Sequence, residues 1–446
     1  MHAALHRPRP STGRPLARLV FGLAGRGPPA RSAPPRARVL AAASATPTPT
    51  PTTTTPSTPP PALPSPSLID LAVEDAWAPG DPPTPLMADR IAFLEADLPH
   101  LFDGVGIDAA AYAPAVAFTD PITRYSSLAG YLFNIAALKR VFSPSFTLLG
   151  ARQTGPRQVT TRWAMEMVAA PLKPLLGARA PALAFTGTSV MGFDTAGRVA
   201  SHADTWDAIT NQAYFSAEGA AHVAAQVGDL RRGPALWTPP YRLLRKQGGW
   251  LEVRAYPAFR VMEGRVVGGG GGGGGGGFGL GDLRVTLFRA LAGMLESTGA
   301  SMTTPVLSAP GGGDGGDAAG GAVALEAGGD GPGAPRMRFA LSPADADRVT
   351  AALASGSARP PPGVEIDVIE VPGGTFAALP LGGRDPADAA AALRARLVTD
   401  FGAAGAPLAD PSPAAFTVAR YNSPLTPPPL RKEEVMVRLA SFDLWA

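Results

Sequence analysis

Three side chains in the first half of the chain have the chemistry of an acid–base site. His202 and Asp204 alternate with Trp206 along the sequence, so on a β-strand they share one face. Asp120, which precedes Pro121, is the third candidate. A buried carboxylate beside an imidazole can act as a general acid–base pair. The alternative is structural: Asp120 caps a turn, and His202 and Asp204 hydrogen-bond each other within the sheet.

The composition excludes several other kinds of chemistry. The 446 residues contain no cysteine, which excludes disulfides, thiolate metal sites, iron–sulfur clusters and a cysteine nucleophile. No metal-ligand spacing connects the five histidines, which are His2, His6, His100, His202 and His222. No apolar run approaches the roughly 18 residues that span a bilayer, so no transmembrane segment is predicted.

The net charge of +3 combines two unlike parts of the chain. Residues 1–69 contain eight arginines and neither lysine nor an acidic residue, whereas the remainder has 31 basic and 36 acidic side chains. An acid-free segment rich in Arg, Ala, Ser and Pro is typical of an organelle transit peptide, which we predict for residues 1–45. A nucleic-acid-binding arm would normally use lysine, and the acidic body argues against a nucleic-acid partner.

Low-complexity segments divide the rest of the chain. Residues 46–85 are predicted to be a disordered Thr/Pro-rich linker. Residues 268–277 are ten consecutive glycines and residues 311–333 are rich in Gly, Ala and Asp, so both are predicted to be disordered insertions. Two folded domains then remain, 86–238 and 239–446.

The first folded region has helical periodicity before strand periodicity. Helices are predicted near 89–101, with Asp89 as N-cap, and at 126–142. Alternating apolar residues then predict strands at 159–167, 184–192 and 199–209. Helices followed by an antiparallel meander indicate an α+β domain whose curved sheet encloses a pocket.

The second folded region repeats one order of elements. Two helices are predicted, at 282–298 and at 386–401, the latter with Asp385 as N-cap. Alternation predicts strands at 251–256, 259–267, 364–371, 376–379, 416–421 and 435–439. The order strand–strand–helix–strands occurs twice, which indicates an internal pseudo-repeat.

Motifs in the first region carry a family resemblance. They lie at residues 118–125 (FTDPITRY), 130–134, 139–144, 160–163, 185–189 and 202–207. This region resembles an uncharacterised domain of plants and algae that is similar to the nuclear transport factor 2-like, cone-shaped fold. The resemblance implies that a polar group at the position of Asp120 is often directed into the cavity of the cone.

Motifs in the second region carry another resemblance. They lie at residues 251–257 (LEVRAYP), 288–293, 302–306, 338–343, 419–424 and 431–437. This region resembles the SOUL/haem-binding-protein family, and the pairing of the two domains resembles a plastid architecture of plants and green algae. The resemblance implies a distorted β-barrel with two helices that binds haem or another tetrapyrrole non-covalently.

The same resemblance implies where the ligand binds. An apolar cleft along the first helix of the domain would receive the ring, and Arg284 or Arg289 would face the propionates. The cleft residues are Leu287, Phe288, Leu291 and Leu295. Because residues 239–446 contain no histidine, an axial iron ligand there could only be a methionine such as Met294 or Met302, a tyrosine or a weak donor. Haem is therefore expected to be held loosely.

Three functional hypotheses follow. The first is a non-enzymatic chloroplast carrier or buffer that binds a tetrapyrrole weakly and reversibly. The second is an enzyme that acts on a small apolar molecule in the N-terminal cone. The third is a scaffold on plastid lipid bodies or an eyespot, peripherally associated with plastid membranes. The localisation expected from the resemblance and the leader is the plastid, in the stroma or on lipid bodies.

Overall fold

The computed structural model describes residue 73 and residues 76–170, 182–229, 236–267, 280–308, 336–422, 426–427 and 430–446. The predicted transit peptide at 1–45, the linker up to residue 72 and both glycine-rich insertions, 268–277 and 311–333, lie outside the described residues. The last part of the expected linker forms turns, in which the indole nitrogen of Trp77 donates to the carbonyl of Pro82 over 3.2 Å.

In its described residues, the first region forms a six-stranded sheet with three α-helices. Its strand order is β2-β1-β6-β5-β4-β3, and every neighbouring pair is antiparallel except β1 and β6, which are parallel. The elements are α1 (Pro85–Asp97), β1 (Tyr112–Thr119), β2 (Arg124–Tyr125), α2 (Leu128–Val141), β3 (Phe142–Gly155), β4 (Gln158–Ala169), β5 (Ala182–Phe193), β6 (Val199–Trp206) and α3 (Ala217–Asp229).

The predicted antiparallel meander corresponds to β4, β5 and β6. Strand β3 was not predicted and adds a further strand beside β4, and the helices pack against this sheet. Leu94 of α1 and Tyr131 of α2 join Val116 and Met191 in one buried apolar cluster. Gly187 of β5 allows the backbone of Thr205 on β6 to approach closely, because a Cβ at position 187 would collide with the carbonyl of Thr205. The prediction of an α+β fold with a curved sheet over helices is confirmed.

The start of α1 corrects one prediction. Thr84, rather than Asp89, is the N-cap, and its hydroxyl accepts a hydrogen bond from the backbone N–H of Met87. The reason is local: Pro85 occupies the first helical position, where its fixed φ and missing N–H cost nothing. Asp89 lies inside the helix.

The described part of the second region forms a nine-stranded antiparallel sheet with three α-helices. Its strand order is β12-β9-β11-β10-β14-β15-β13-β8-β7. The elements are β7 (Arg242–Lys246), β8 (Glu252–Tyr256), β9 (Phe259–Val266), α4 (Leu280–Thr298), β10 (Val306–Ser308), β11 (Arg336–Ala340), α5 (Pro343–Ser355), β12 (Val364–Val371), β13 (Gly374–Pro380), α6 (Pro386–Gly405), β14 (Thr417–Arg420) and β15 (Glu433–Arg438).

The element order contains the expected repeat and one helix more than expected. The order β8-β9-α4-β10-β11 recurs as β12-β13-α6-β14-β15. Helix α5 lies between the two halves and was missed because its buried face is small, with Ala346 and Val349 as its fully buried apolar residues. Ser342 caps this helix and Pro343 begins it.

Both faces of the curled sheet are covered. On the outer face, α4 and α5 cover one apolar cluster and α6 covers another. On the inner face, Leu307, Phe376, Tyr421 and Met436 form a smaller cluster. Because successive residues of a strand point to opposite faces, the sheet separates these layers residue by residue. The result is a distorted half-barrel with a lined interior.

The two regions are in contact through β5 and β7. The backbone N–H of Lys246 donates to the hydroxyl of Thr186 over 2.8 Å. Thr186 in turn donates to Asp207, which accepts two hydrogen bonds of 2.8 and 3.0 Å from the Arg162 guanidinium. On another side, the Arg152 guanidinium lies 4.2 Å from the centre of the Trp445 ring.

Candidate functional site

The inner face of α4 is core. Leu287, Leu291 and Leu295 are at most 3% exposed and pack against the outer face of the sheet. The approach is close because β9 carries Gly264, where a Cβ would lie 3.2 Å from Leu291. Three of the four predicted cleft residues are therefore covered in this conformation and present no surface to a ligand.

The edge of α4 is apolar and half-buried. Phe288, the fourth predicted cleft residue, is partly exposed, and its ring centre lies 5.5 Å from that of Phe339. Met302 and Val306 are also partly exposed and belong to the same cluster. These side chains offer the apolar surface next to the helix that the leucines do not.

Basic side chains converge beside this edge. Arg420, at the end of β14, lies opposite Val306 in the register and donates to the hydroxyl of Ser308 over 2.7 Å. Burial lowers the pKa of Arg420, Glu433 opposes that shift, and the positive charges of Arg284 and Arg431 lower the pKa further. Charges that affect one another in this way lie close together.

The arginine cluster (Arg284, Arg420 and Arg431) contains one of the two predicted propionate partners. Arg284 belongs to it, whereas Arg289 is exposed on α4. Within the cluster, Arg420 lies 3.4 Å from the carboxylate of Glu433. Arg431 was not predicted as a propionate partner, because it follows a proline-rich segment that has no helical or strand periodicity.

The chemistry of this edge suits a flat apolar ring that carries carboxylates. Guanidinium groups pair with carboxylates through two parallel hydrogen bonds, and a partly buried aromatic surface can pack against a ring. Two methionines are the candidate iron ligands near this edge. Met294 is 3% exposed and part of the core, whereas Met302 is partly exposed and could offer its thioether sulfur. Within the described residues, no three His, Asp or Glu side chains are grouped so that they could hold a metal ion.

The N-terminal candidates form a buried hydrogen-bonded chain. A ring nitrogen of His202, Nε2, lies 2.8 Å from Oδ1 of Asp204, which also accepts a hydrogen bond from Ser189. Ser189 accepts one from the Trp163 indole over 2.9 Å. His202 is 4% exposed, and its ring packs edge-on against Phe118 at 5.1 Å. The structure thus brings His202 and Asp204 together inside the cone.

Asp120 acts within its own turn. Its carboxylate accepts hydrogen bonds from the backbone N–H groups of Ile122 and Thr123 and from the Thr123 hydroxyl. Burial raises the pKa of Asp120, the hydrogen bonds from Thr123 lower it, and the charge of Asp204 raises it. These contacts are those of the structural alternative, in which Asp120 caps a turn.

A buried ionic network lies inside the half-barrel. Arg254 donates to both oxygens of Glu434 at 2.8 Å and lies 2.7 Å from Glu252. Tyr421 donates to Glu434 over 2.9 Å, and Lys246 lies 3.1 Å from Glu252. The sequence alone did not identify Arg254 or Glu434, since a charged residue at an alternating strand position is ordinarily read as facing solvent.

Two family models match the chain. Residues 88–202 match an Uncharacterized conserved protein (DUF2358), and residues 236–438 match the SOUL heme-binding protein. No curated protein matches the chain in sequence. Among the described residues, every helix is too short or too polar to cross a membrane.

Several solved structures are similar to part of the chain. An NTF2-like protein of unknown function from Exiguobacterium sp. 255-15 is 13% identical, with 27% of this chain and 98% of that chain covered and a TM-score of 0.21. An LEH-like epoxide hydrolase from M. tuberculosis is 13% identical, with coverages of 32% and 91% and a TM-score of 0.22. A steroid delta-isomerase from Pseudomonas aeruginosa is 14% identical, with coverages of 32% and 86% and a TM-score of 0.20.

The hydrolase and isomerase activities are named for those two solved proteins and are not assigned to this chain. Both resemblances that the sequence motifs predicted are confirmed by the family models, and the two matches lie on successive regions of the chain. The chain therefore contains two successive family matches, a region that matches DUF2358 followed by a region that matches the SOUL heme-binding protein family.

Proposed function

We propose that this protein binds a tetrapyrrole along the edge of α4 and acts as a plastid carrier or buffer. The observation that carries the proposal is the arginine cluster beside the half-buried side chains Phe288, Met302 and Val306. An apolar macrocycle packed on that surface would place its propionates among guanidinium groups. The family description, a heme-binding protein, agrees with this chemistry.

The proposed binding is weak and reversible. No histidine occurs in residues 236–446, so iron would gain no imidazole bond from this domain. The affinity would then come from apolar contact and propionate pairing, which haem and metal-free protoporphyrin IX share. A carrier with these properties releases its ring more readily than a protein that ligates iron strongly.

The plastid location belongs to the same proposal. It is supported by residues 1–45, which are rich in arginine and free of acidic side chains. Whether the mature chain resides in the stroma or on lipid bodies is decided by fractionating plastids that express the tagged full chain.

Titration of the full chain with ferric haem and with protoporphyrin IX tests the ligand. We expect saturable changes in the absorption bands for both rings. The two dissociation constants should lie within about tenfold of each other, because no strong protein ligand to iron adds to the affinity for haem. Haem binding at least a hundredfold tighter than protoporphyrin IX would contradict binding without strong ligation. Saturable binding of neither ring would overturn the proposal.

Variants locate the site. Arg431→Ala is expected to weaken binding of both rings by about tenfold, because it removes a charge-assisted hydrogen bond. Arg289→Ala, on the exposed side of α4, and Arg265→Ala, on the inner face of the sheet, are the matched controls and should leave both affinities unchanged. Equal losses in all three variants would show a non-specific effect of positive charge and would contradict the assigned site.

A further inference from the structure

The interior of the half-barrel contains a cavity of about 150 Å³. Its walls come from β8, β10, β13, β14 and β15 and from the segment before β7. Leu307 and Tyr421 line it, whereas their chain neighbours Val306 and Arg420 face the other side of the sheet, toward α4. The cavity is therefore separated by the sheet from the edge of α4 proposed above for the tetrapyrrole.

One part of the cavity wall is aromatic. The ring centre of Tyr256 lies 5.6 Å from that of Phe376, and the planes meet at 88°. Tyr241, at the rim, lies 5.2 Å from Tyr256. Rings held edge to face in this way present both faces and edges to a further ring, which suits an aromatic guest.

Thr417 gives the cavity a polar group that the protein leaves unsatisfied. Thr417 is 4% exposed, and its hydroxyl has no hydrogen-bond partner among the described residues. A buried hydroxyl without a partner costs folding free energy. The oxygen is covered in this structure, so rotation of the side chain toward a ligand acceptor would gain a hydrogen bond without breaking one in the protein. This orphaned donor points to a ligand with an acceptor.

The charge of the cavity wall specifies the acceptor. Among the described lining residues, Lys432 and Arg438 are cations and none is acidic. Lys432 lies 3.5 Å from the buried carboxylate of Glu434, so the ligand's acceptor is assigned to Arg438. Thr417 lies opposite Met436 on β15, and Arg438 occupies the next position on the same face of that strand. Arg438 is held in place by a hydrogen bond of 2.9 Å to the carbonyl of Gly373. A hydroxyl donor and a guanidinium at neighbouring inward positions fit a carboxylate.

The size of the cavity limits the ring. An apolar cavity of about 150 Å³ accommodates a benzene molecule, whereas drug-sized ligands occupy about 300–1,000 Å³. We propose that this cavity is a second binding site, for a monocyclic aromatic carboxylate. Its ring packs among Tyr256, Phe376 and Leu307, and its carboxylate accepts hydrogen bonds from Thr417 and Arg438.

Titration of the full chain with sodium benzoate, followed by calorimetry and ligand-observed NMR, tests the proposal. We expect saturable binding of one benzoate per chain, and weaker binding of the uncharged benzamide. Thr417→Val should weaken benzoate binding by about tenfold or more, because it removes one hydrogen bond to a charged group. The same substitution should raise thermal stability, since it removes a buried unsatisfied hydroxyl.

Thr161→Val is the matched control. Thr161 is 0% exposed and its hydroxyl also lacks a partner among the described residues, but it lies in β4 of the first domain. This variant should raise stability in the same way and leave benzoate binding unchanged. Equal benzoate affinity in Thr417→Val and the unsubstituted chain would overturn the proposal, as would the absence of saturable binding.

Competition separates the two sites. Benzoate affinity should be unchanged when protoporphyrin IX is added, and should fall in Arg438→Met as well as in Thr417→Val. Displacement of benzoate by protoporphyrin IX would place benzoate at the edge of α4 and overturn a separate cavity site. Failure of tetrapyrrole binding with retained benzoate binding would instead leave the cavity assignment standing and contradict only the carrier function.

Discussion

Arg254 and Glu434, which are 180 residues apart in the chain, are joined by two N–H···O hydrogen bonds of 2.8 Å inside the half-barrel. The side chains are 2% and 4% exposed. Arg254 belongs to β8 and Glu434 to β15, strands that are both neighbours of β13. The pair therefore connects an early strand of the domain to its last strand across β13, with both side chains buried.

Removing one charge of this pair should destabilise the fold strongly. Glu434→Gln is expected to lower the free energy of unfolding by about 3 kcal/mol, because Arg254 stays buried with less compensation. Glu365→Gln is the control, since its ion pair with Arg265 is exposed and should contribute less than about 1 kcal/mol. Chemical denaturation measures both. Similar losses would contradict the importance of burial.

The same network predicts how stability depends on pH. Burial raises the pKa of Glu252, but Arg254 and Lys246 outweigh burial and lower it from 4.5 to about 2. A carboxyl group with a lowered pKa in the folded chain contributes stability above pH 4.5 that is lost as the pH falls toward 2. Glu252→Gln removes this titration.

The measurement is the free energy of unfolding of both chains across that pH interval. The unsubstituted chain should lose more stability than Glu252→Gln as the pH falls, so the difference between them should narrow toward pH 2. A difference that stays constant over the interval would show that Glu252 does not titrate with a lowered pKa.

Two neighbouring tyrosines in the first domain should respond in opposite ways to loss of the hydroxyl. Their ring centres are 6.0 Å apart. Tyr112 donates to Asp97 over 3.1 Å, whereas the Tyr131 hydroxyl is buried without a hydrogen-bond partner in the described part of the chain. Tyr112→Phe should lower the free energy of unfolding by about 1–3 kcal/mol, and Tyr131→Phe should leave it unchanged or raise it. A comparable loss in both variants would indicate that Tyr131 has an acceptor.

The Thr186 hydroxyl contributes to the contact between the two domains. Thr186→Val removes the acceptor for the Lys246 N–H and a donor to Asp207, and should lower the free energy of unfolding by about 1–3 kcal/mol. Hydrogen exchange should become faster at the Lys246 amide. Thr188→Val is the control on the same strand, because Thr188 pairs with Thr205 within the first domain. Unchanged exchange at Lys246 in Thr186→Val would contradict this role.

The helices and strands with clear periodicity could be predicted from the sequence because each has one apolar face. The strands around Val253, Val261 and Val435 and the helix containing Leu287 have the spacing that burial on one side requires. The cap at Asp385 was accessible too, since its carboxylate accepts a hydrogen bond from Ala387 at the start of α6. Local chemistry determines these features.

Features that depend on residues far apart in the chain could not be predicted from the sequence. Strand β3 contains Ser143 and Pro144, which resemble a turn, and it forms because it lies at the sheet edge, where a missing N–H is tolerated. The inward positions of Arg254 and Glu434 depend on a partner 180 residues away. The arginine cluster likewise brings together residues from a helix, a strand end and a loop end. Their positions in the sequence do not predict that they lie close together.

The two terminal strands of the nine-stranded sheet are protected from pairing with other molecules in different ways. Strand β7 has its Lys246 amide occupied by Thr186 of the other domain. Strand β12 instead has exposed charged side chains, Glu365, Asp367 and Glu370, and charged side chains on an edge strand disfavour edge-to-edge association. Separating the domains would uncover the β7 edge, so the isolated second domain should aggregate more readily than the intact chain.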